Sequence, residues 1–127
     1  MSLFESAEYA ASLSICNKRK VGASLSVNGE VVAIGFNHGD TEHCSCSHEH
    51  ENQNVIHAEI MALHDFKFLH NDYVELAVNY PPCLNCANEI VKRGVSRVYY
   101  TNHRNDKTSG LEFLKLNKVE VLREWKI

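Results

Sequence analysis

The sequence predicts an α/β protein, a three-layer α/β/α sandwich around a central five-stranded mixed sheet, and three observations predict it. The chain has 127 residues, 44% of them hydrophobic, which is material for one core and little room for a second, so residues 1–127 read as a single domain. Asn28-Gly29 joins two β-prone runs and marks a two-residue hairpin, hence antiparallel strands. From residue 73 onward short apolar runs alternate with helical patterns, and strands joined through helices pair in parallel.

In order along the chain, Ser2 with Glu5 forms a capping box, and Phe4, Ala7, Ala11 and Ile15 recur at helical spacing, predicting a helix to about Cys16. "VGASLSV" and "EVVAIGF" are the hairpin strands. Residues 38–54 are polar, crowded with His and Cys and without periodicity, so they read as a loop, long for so small a domain. Asn54 is placed to cap a helix from Val55 to about Leu69, with Ile56, Ile60, Leu63 and Phe66 on one face. "YVELAVNY" is the third strand. "PPCLNCANEIVKRG" is a helix with proline at its entrance and Gly94 at its exit, and "VSRVYY" is the fourth strand. "TNHRNDKT" is a loop, a short helix starts near Ser109, and "KVEVLRE" closes the sheet.

Composition excludes several classes. No run of eighteen apolar residues is present and the N-terminal segment carries acids where a secretory signal carries a basic head, so neither membrane nor export is expected and the protein is placed in the cytoplasm. Thirteen basic against sixteen acidic residues give a net charge of −3, with "NKRK" at Asn17 to Lys20 the one dense basic cluster, so nucleic acid is not the expected partner. Five cysteines cannot all pair within the chain, and a reducing compartment favours metal binding or a reactive thiol over disulfides.

Cys83 and Cys86, three apart at a helix entrance, can aim both sulfurs at one point, and the exposed N–H groups and positive end of the macrodipole there favour thiolate. His57 sits at the predicted start of its own helix. If both helices follow neighbouring strands, their N-termini meet at one sheet edge, where open α/β folds place ligands. Two sulfurs and one nitrogen make a three-ligand zinc site, and three ligands leave a tetrahedral position for a water whose pKa falls from near ~16 to ~7. Glu59 is the remaining piece. Residues two apart on an ideal helix point about 200° apart, so His57 and Glu59 share a site only if it lies beyond the helix end. A carboxylate there would act as general base and then general acid. Taken alone, Cys-x-x-Cys is often a redox pair or half a structural zinc ribbon, and His-x-Glu arises by chance. The combination of His-x-Glu with Pro-Cys-x-x-Cys is the signature of zinc-dependent nucleobase deaminases, with the Glu as acid/base and not a ligand.

On "HAE" at His57 to Glu59 and "PCLNC" at Pro82 to Cys86, the chain resembles the cytidine deaminase superfamily over nearly its whole length. "VGA" at Val21 to Ala23, "GFN" at Gly35 to Asn37 and the Cys-bearing insertion before "NVIHAE" resemble the deoxycytidylate (dCMP) deaminases within it. The resemblance implies a cytidine deaminase-like fold and hydrolytic deamination of dCMP to dUMP, a step supplying thymidylate precursor. It also implies a homo-oligomer, and Mg2+ accompanying any nucleotide effector. By the same resemblance Asn37 would hydrogen-bond the sugar or base, the Ala58 backbone would contact the pyrimidine, and Ala23 would line the substrate site. The departures are Asn79-Tyr80-Pro81-Pro82-Cys83 where the family commonly has Thr-x-x-Pro-Cys, and His38 in place of a glycine.

Cys44, Cys46, His48 and His50 place four candidate ligands within seven residues, and with Cys16 they are candidates for a second, structural zinc; such a metal contributes roughly 10–16 kcal/mol of binding free energy in small peptides. A solvated polar loop is the bland alternative. For a substrate phosphate the candidates are Lys18, Arg19, Lys20, Arg104 and Lys107, with His103 beside them. Three other functions compete. A tRNA adenosine deaminase shares the motif but calls for a basic surface; a non-catalytic zinc module predicts that Glu59→Ala changes nothing; a redox protein gives His57 and Glu59 no task.

Overall fold

The computed structural model describes residues 1–16, 19–39, 55–64, 66–69, 71–102 and 109–125. Helix α1 (Leu3–Ser12) opens with the expected capping box: Glu5 N–H donates to Ser2 Oγ at 3.0 Å and Ser2 N–H donates to the Glu5 carboxylate at 3.1 Å. It ends at Ser12, a turn short of the expected Cys16. The cause is Ser14, whose hydroxyl reaches the Asn37 carboxamide oxygen at 2.6 Å and draws the chain out of the helix onto the sheet edge.

Strands β1 (Gly22–Val27) and β2 (Glu30–Phe36) form the hairpin, and their turn has φ of 52° at Asn28 and 87° at Gly29, the left-handed pair that the Asn-Gly signal calls for. Two-residue strands β3 (His38–Gly39) and β4 (Val55–Ile56) then pair antiparallel, His38 opposite Ile56. This corrects two expectations. His38 and Gly39 are not loop, and Val55 and Ile56 are extended instead of helical. Helix α2 accordingly runs Ala58–Leu63 with His57 in the N-cap position, where its side chain makes no capping hydrogen bond; the expected cap, Asn54, lies outside the described residues. Its far end is also earlier than the expected Leu69, because an Arg93 guanidinium N–H group donates to the Leu63 and Phe66 carbonyls at 3.1 and 3.2 Å and satisfies them without another turn.

Strand β5 (Val74–Val78), helix α3 (Leu84–Arg93), strand β6 (Arg97–Tyr100), helix α4 (Ser109–Leu116) and strand β7 (Glu120–Leu122) complete the chain, each strand within a few residues of its expected bounds. The sheet order is β2-β1-β5-β6-β7, with β1 antiparallel to both neighbours and β5, β6 and β7 parallel. It is the predicted five-stranded mixed sheet between helical layers. Alternation along each strand sends Ala23, Leu25, Leu76, Val78 and Val98 into a core with Ala58, Ala62 and Leu63 of α2 and Ala87 and Ile90 of α3. Gly35 brings α2 closer than any side chain would allow, since a Cβ on it would stand 2.2 Å from the Ala58 carbonyl oxygen. The start of α2 is therefore set by backbone contact with β2. No helix among the described residues is long and apolar enough to cross a membrane.

Candidate active site

β5 ends at Val78, and four residues carry the chain over the sheet edge to Cys83, the N-cap of α3. The Cys83 backbone is extended (φ −73°, ψ 171°), so its side chain stands beyond the helix end, and Cys86 N–H donates to its sulfur at 3.5 Å. His57 is an N-cap too, with φ −78° and ψ 150°. Because its backbone is not helical, the 200° separation of an ideal helix does not apply, and Glu59, inside the first turn of α2, can share a site with it. His57 Nδ1 lies 3.7 Å from Cys83 Sγ and 3.3 Å from Cys86 Sγ, and the three donor atoms all lie within 4.8 Å of one another. A tetrahedral zinc with Zn–S of ~2.3 Å and Zn–N of ~2.0–2.1 Å spaces its ligand atoms roughly 3.5–3.8 Å apart, and the two nitrogen–sulfur distances lie within a few tenths of an ångström of that range, so the donor set suits a zinc ion.

Electrostatics favour the same reading. The Cys86 side chain hydrogen-bonding to Cys83, aided by His57 and the Cys86 N–H, pulls the Cys83 thiol down to about 4 against the opposing effect of burial. It is a thiolate at neutral pH, the form that binds metal. Glu59 is 4% exposed, and burial pushes its carboxyl up to about 7, with the nearby His57 charge opposing. A carboxyl poised there can both take and give a proton near neutral pH.

Helix α4 buttresses this turn. A Cβ on Gly110 would stand 2.1 Å from the Pro82 carbonyl oxygen and 3.0 Å from the Cys83 carbonyl group, so the first turn of α4 rests on the backbone that carries the first sulfur. Gly110→Ala is expected to cost about 1–3 kcal/mol of stability by overpacking and to weaken zinc binding about 10-fold, as loss of support around a ligand does. Urea unfolding and competition with a chromophoric chelator measure the two, and unchanged zinc affinity in a destabilised variant would show that the turn is held by something else.

Asn37, Ala58 and Ala23 all lie near this edge, in different settings. Ala58 opens α2 and its buried backbone faces β2. Ala23 is wholly buried in the core with its strand neighbours. The Asn37 carboxamide oxygen accepts from Val21 N–H at 2.9 Å and from the Ser14 hydroxyl, and its Nδ2 donates to the Arg19 carbonyl at 2.8 Å, so most of its capacity goes to the 14–21 segment. Cys16 is buried beside the Asn37 carbonyl, apart from the His57 group, and is disulfide-bonded. This corrects the expectation of a metal-binding or free thiol there, since a sulfur spent in a disulfide is not a thiolate ligand. Cys44, Cys46, His48, His50, Lys18, His103, Arg104 and Lys107 lie outside the described residues.

Sequence reasoning passed over Asn79 as a functional residue and noted it only as a departure. It is buried directly after β5, its Oδ1 accepting from Gly22 N–H at 2.9 Å and its Nδ2 donating to the Lys20 carbonyl at 3.0 Å. A polar amide where an apolar strand ends, three residues short of Pro82, was the available signal.

Residues 1–102 match the family described as the cytidine and deoxycytidylate deaminase zinc-binding region. A deaminase from the luxG 3′ region of Aliivibrio fischeri is 30% identical over 109 residues, covering 81% of this chain and 72% of that protein. ComE operon protein 2 of Bacillus subtilis (strain 168) is 32% identical over 96 residues, which are 68% of this chain and 50% of that protein. Among solved structures, the dCMP deaminase of cyanophage S-TIM5 in complex with dCMP and dUMP is similar with a TM-score of 0.79 and 32% identity, covering 93% of this chain and 90% of that one. Acinetobacter baumannii RibD, at 18% identity and a TM-score of 0.70, shares the fold over 95% of this chain and 34% of its own.

Proposed function

Because the chain belongs to the cytidine and deoxycytidylate deaminase zinc-binding family, we propose that its reaction is the hydrolytic deamination of dCMP to dUMP with release of ammonia. The observation that carries the reading is the convergence of His57, Cys83 and Cys86 beside the buried Glu59, in a fold similar to a phage enzyme solved with dCMP and dUMP. Zinc, when held by His57 Nδ1 and the two sulfurs, supplies a Lewis acid that makes water a nucleophile at neutral pH.

The chain's own residues do the rest. Glu59 takes a proton from the attacking water and delivers it to the ring nitrogen beside the carbon attacked. It then moves the second proton, from the new hydroxyl, to the exocyclic amine, so that the carbon–nitrogen bond breaks to give ammonia and a carbonyl. Its carboxyl, lifted to about 7 by burial, is matched to both transfers. Ala58, first in α2, presents backbone to the pyrimidine, and Asn37 retains one amide N–H for a ligand. The net charge of −3 suits a free nucleotide better than a polynucleotide.

The test is ammonia release from zinc-loaded protein incubated separately with dCMP, deoxycytidine, CMP and dCTP. Turnover of dCMP well above the other three is the expected result. Turnover of none, with zinc firmly bound, would overturn the reading.

A further inference from the structure

Helices α2 and α3 cover one face of the sheet, and α1 lies on the other. Ser24 and Ser26 alternate with the core residues Ala23 and Leu25, so they leave β1 on the α1 side. Ser24 Oγ donates to the Leu3 carbonyl, which fixes the first turn of α1 against the strand. One step further along β1, towards the Asn28-Gly29 turn, that face is not filled. A solvent-open cleft of about 490 Å³ lies there, with Leu3, Ser6, Ser26, Glu30, Val31 and Glu75 in its walls. Its shape has a backbone cause. Leu25 pairs with Ala33 but Ser26 pairs with Val31, so β2 carries Val32 as an extra residue, a bulge that bends the strand beside the cleft. Ser26 also faces Glu75 directly across the β1–β5 pair, which sets the two side chains on one face with Cβ atoms about 4.5–5.5 Å apart.

The polar groups on this floor are incompletely used. Ser26 is 3% exposed, and among the described residues its Oγ has no hydrogen-bond partner. A buried hydroxyl in that state has given up its bonds to water and recovered none. Glu75 Oε2 accepts from the Tyr99 hydroxyl at 2.8 Å and stands 3.7 Å from Arg97 Nη1, while among the described residues Oε1 receives no hydrogen bond. Glu30, exposed at the start of β2, adds a second carboxylate at the mouth. Leu3 and Val31 supply the apolar surface between them.

We propose that this cleft is a binding site for a small alkylammonium ion, a diamine in its simplest form, separate from the zinc site. The ammonium group donates to Ser26 Oγ and Glu75 Oε1, the methylene stem rests on Leu3 and Val31, and Glu30 meets the second charge. An anion would face two carboxylates, and a wholly apolar ligand would leave the hydroxyl and the carboxylate unpaired, so the lining selects a cation with an apolar stem. The positive end of α1 opposes such a ligand only weakly, because Glu5 sits in its first turn and the capping box already takes up the Glu5 N–H. β1 begins at Gly22, held by Asn79 at the zinc edge, and Ser26 lies four residues or roughly 13 Å further along it. The cleft therefore stands at the far end of the sheet from the metal ligands, and the inference does not depend on the deamination reading.

The experiment titrates 1,4-diaminobutane into isotope-labelled, zinc-loaded protein at low and fixed ionic strength and follows backbone amide shifts by NMR, with 1,4-butanediol as the uncharged probe of equal length. The wild type is expected to bind the diamine with a Kd of about 1 mM, the strength open to so small a ligand, and to show its shifts at Leu3, Ser6, Ser26 and Glu75. Ser26→Ala and Glu75→Gln should each weaken binding about 10-fold, the worth of one hydrogen bond to a charged group, and butanediol should not bind. Without ligand, Ser26→Ala should resist urea at least as well as wild type, since it removes only an unpartnered hydroxyl; a destabilised variant would mean that the hydroxyl already has a partner and would overturn the assignment. Shifts spread over the whole acidic surface, equal affinity in the variants, butanediol binding as strongly as the diamine, or no binding at all overturn it as well. If Glu75→Gln does not fold, Ser26→Ala and Glu30→Gln decide the matter by the same affinities. No measurement here involves turnover, so this inference and the deamination reading fail separately.

Discussion

Glu59→Gln is expected to lower kcat by about 10²–10⁴ or more while the protein keeps its zinc. The substitution preserves shape and volume and removes only the ability to carry a proton. Glu59 is not one of the three converging donors, so metal content should match wild type, and that equality separates a proton-transfer role from a ligand role. The same variant makes a second, independent reading possible on the metal-free protein. Burial raises the Glu59 carboxyl from 4.5 to about 7. A carboxyl raised on folding contributes stability that is fully present below its unfolded value and is lost as pH rises through its folded value. Wild type should therefore lose stability relative to Glu59→Gln between pH 5 and pH 8. Because Cys83 titrates in both proteins, its effect largely cancels in the comparison. Urea unfolding at the two pH values, with chelator present, measures the difference. A gap that does not widen with pH would mean that Glu59 is solvated in solution and is no buried acid.

The elements legible in the sequence were those specified locally. The Ser2–Glu5 box, the Asn28-Gly29 turn and the Pro82-to-Gly94 helix each owe their form to neighbours a few residues away, and each stands where expected. Failures came where a distant partner decides. Ile56 has the spacing of a helical residue with Ile60 and Leu63, yet its backbone pairs with His38, and no local pattern shows that bond. That pairing holds His57 extended, which lets the imidazole and Glu59 face one site. The paradox raised by their spacing was thus a consequence of the misplaced helix start. The donor set itself was legible because the ligands announce themselves by type and by position after a loop or strand. The Asn37 and Asn79 clamps were not, since an asparagine at a strand end reads as a turn residue until the segment it holds is known.

Loss of one sulfur should abolish both activity and the stability that zinc confers, and Cys83→Ser is the sharpest form of that test. Cys83 has two tasks, a metal donor and the N-cap of α3, where its sulfur receives the Cys86 N–H. An alanine there would remove both, costing about 1 kcal/mol for the cap alone and confusing the two effects. Serine is a better cap than cysteine and a much poorer zinc ligand. The metal-free variant should therefore keep the cap and unfold at a urea concentration somewhat below that of wild type, since it lacks the stability that the depressed Cys83 thiol contributes at neutral pH. With zinc present the two must diverge further. A metal at 1,000 times its dissociation constant adds about 4 kcal/mol to the native state alone, which for a domain of this size raises Tm by roughly 10–20 °C. Wild type should show that rise and lose it on chelation, while Cys83→Ser shows little of either and deaminates nothing. Equal zinc-dependent shifts in the two proteins would mean that the stabilising ion sits elsewhere, and the His57, Cys83 and Cys86 cluster would then have to be read as a thiol–imidazole pair without a resident metal.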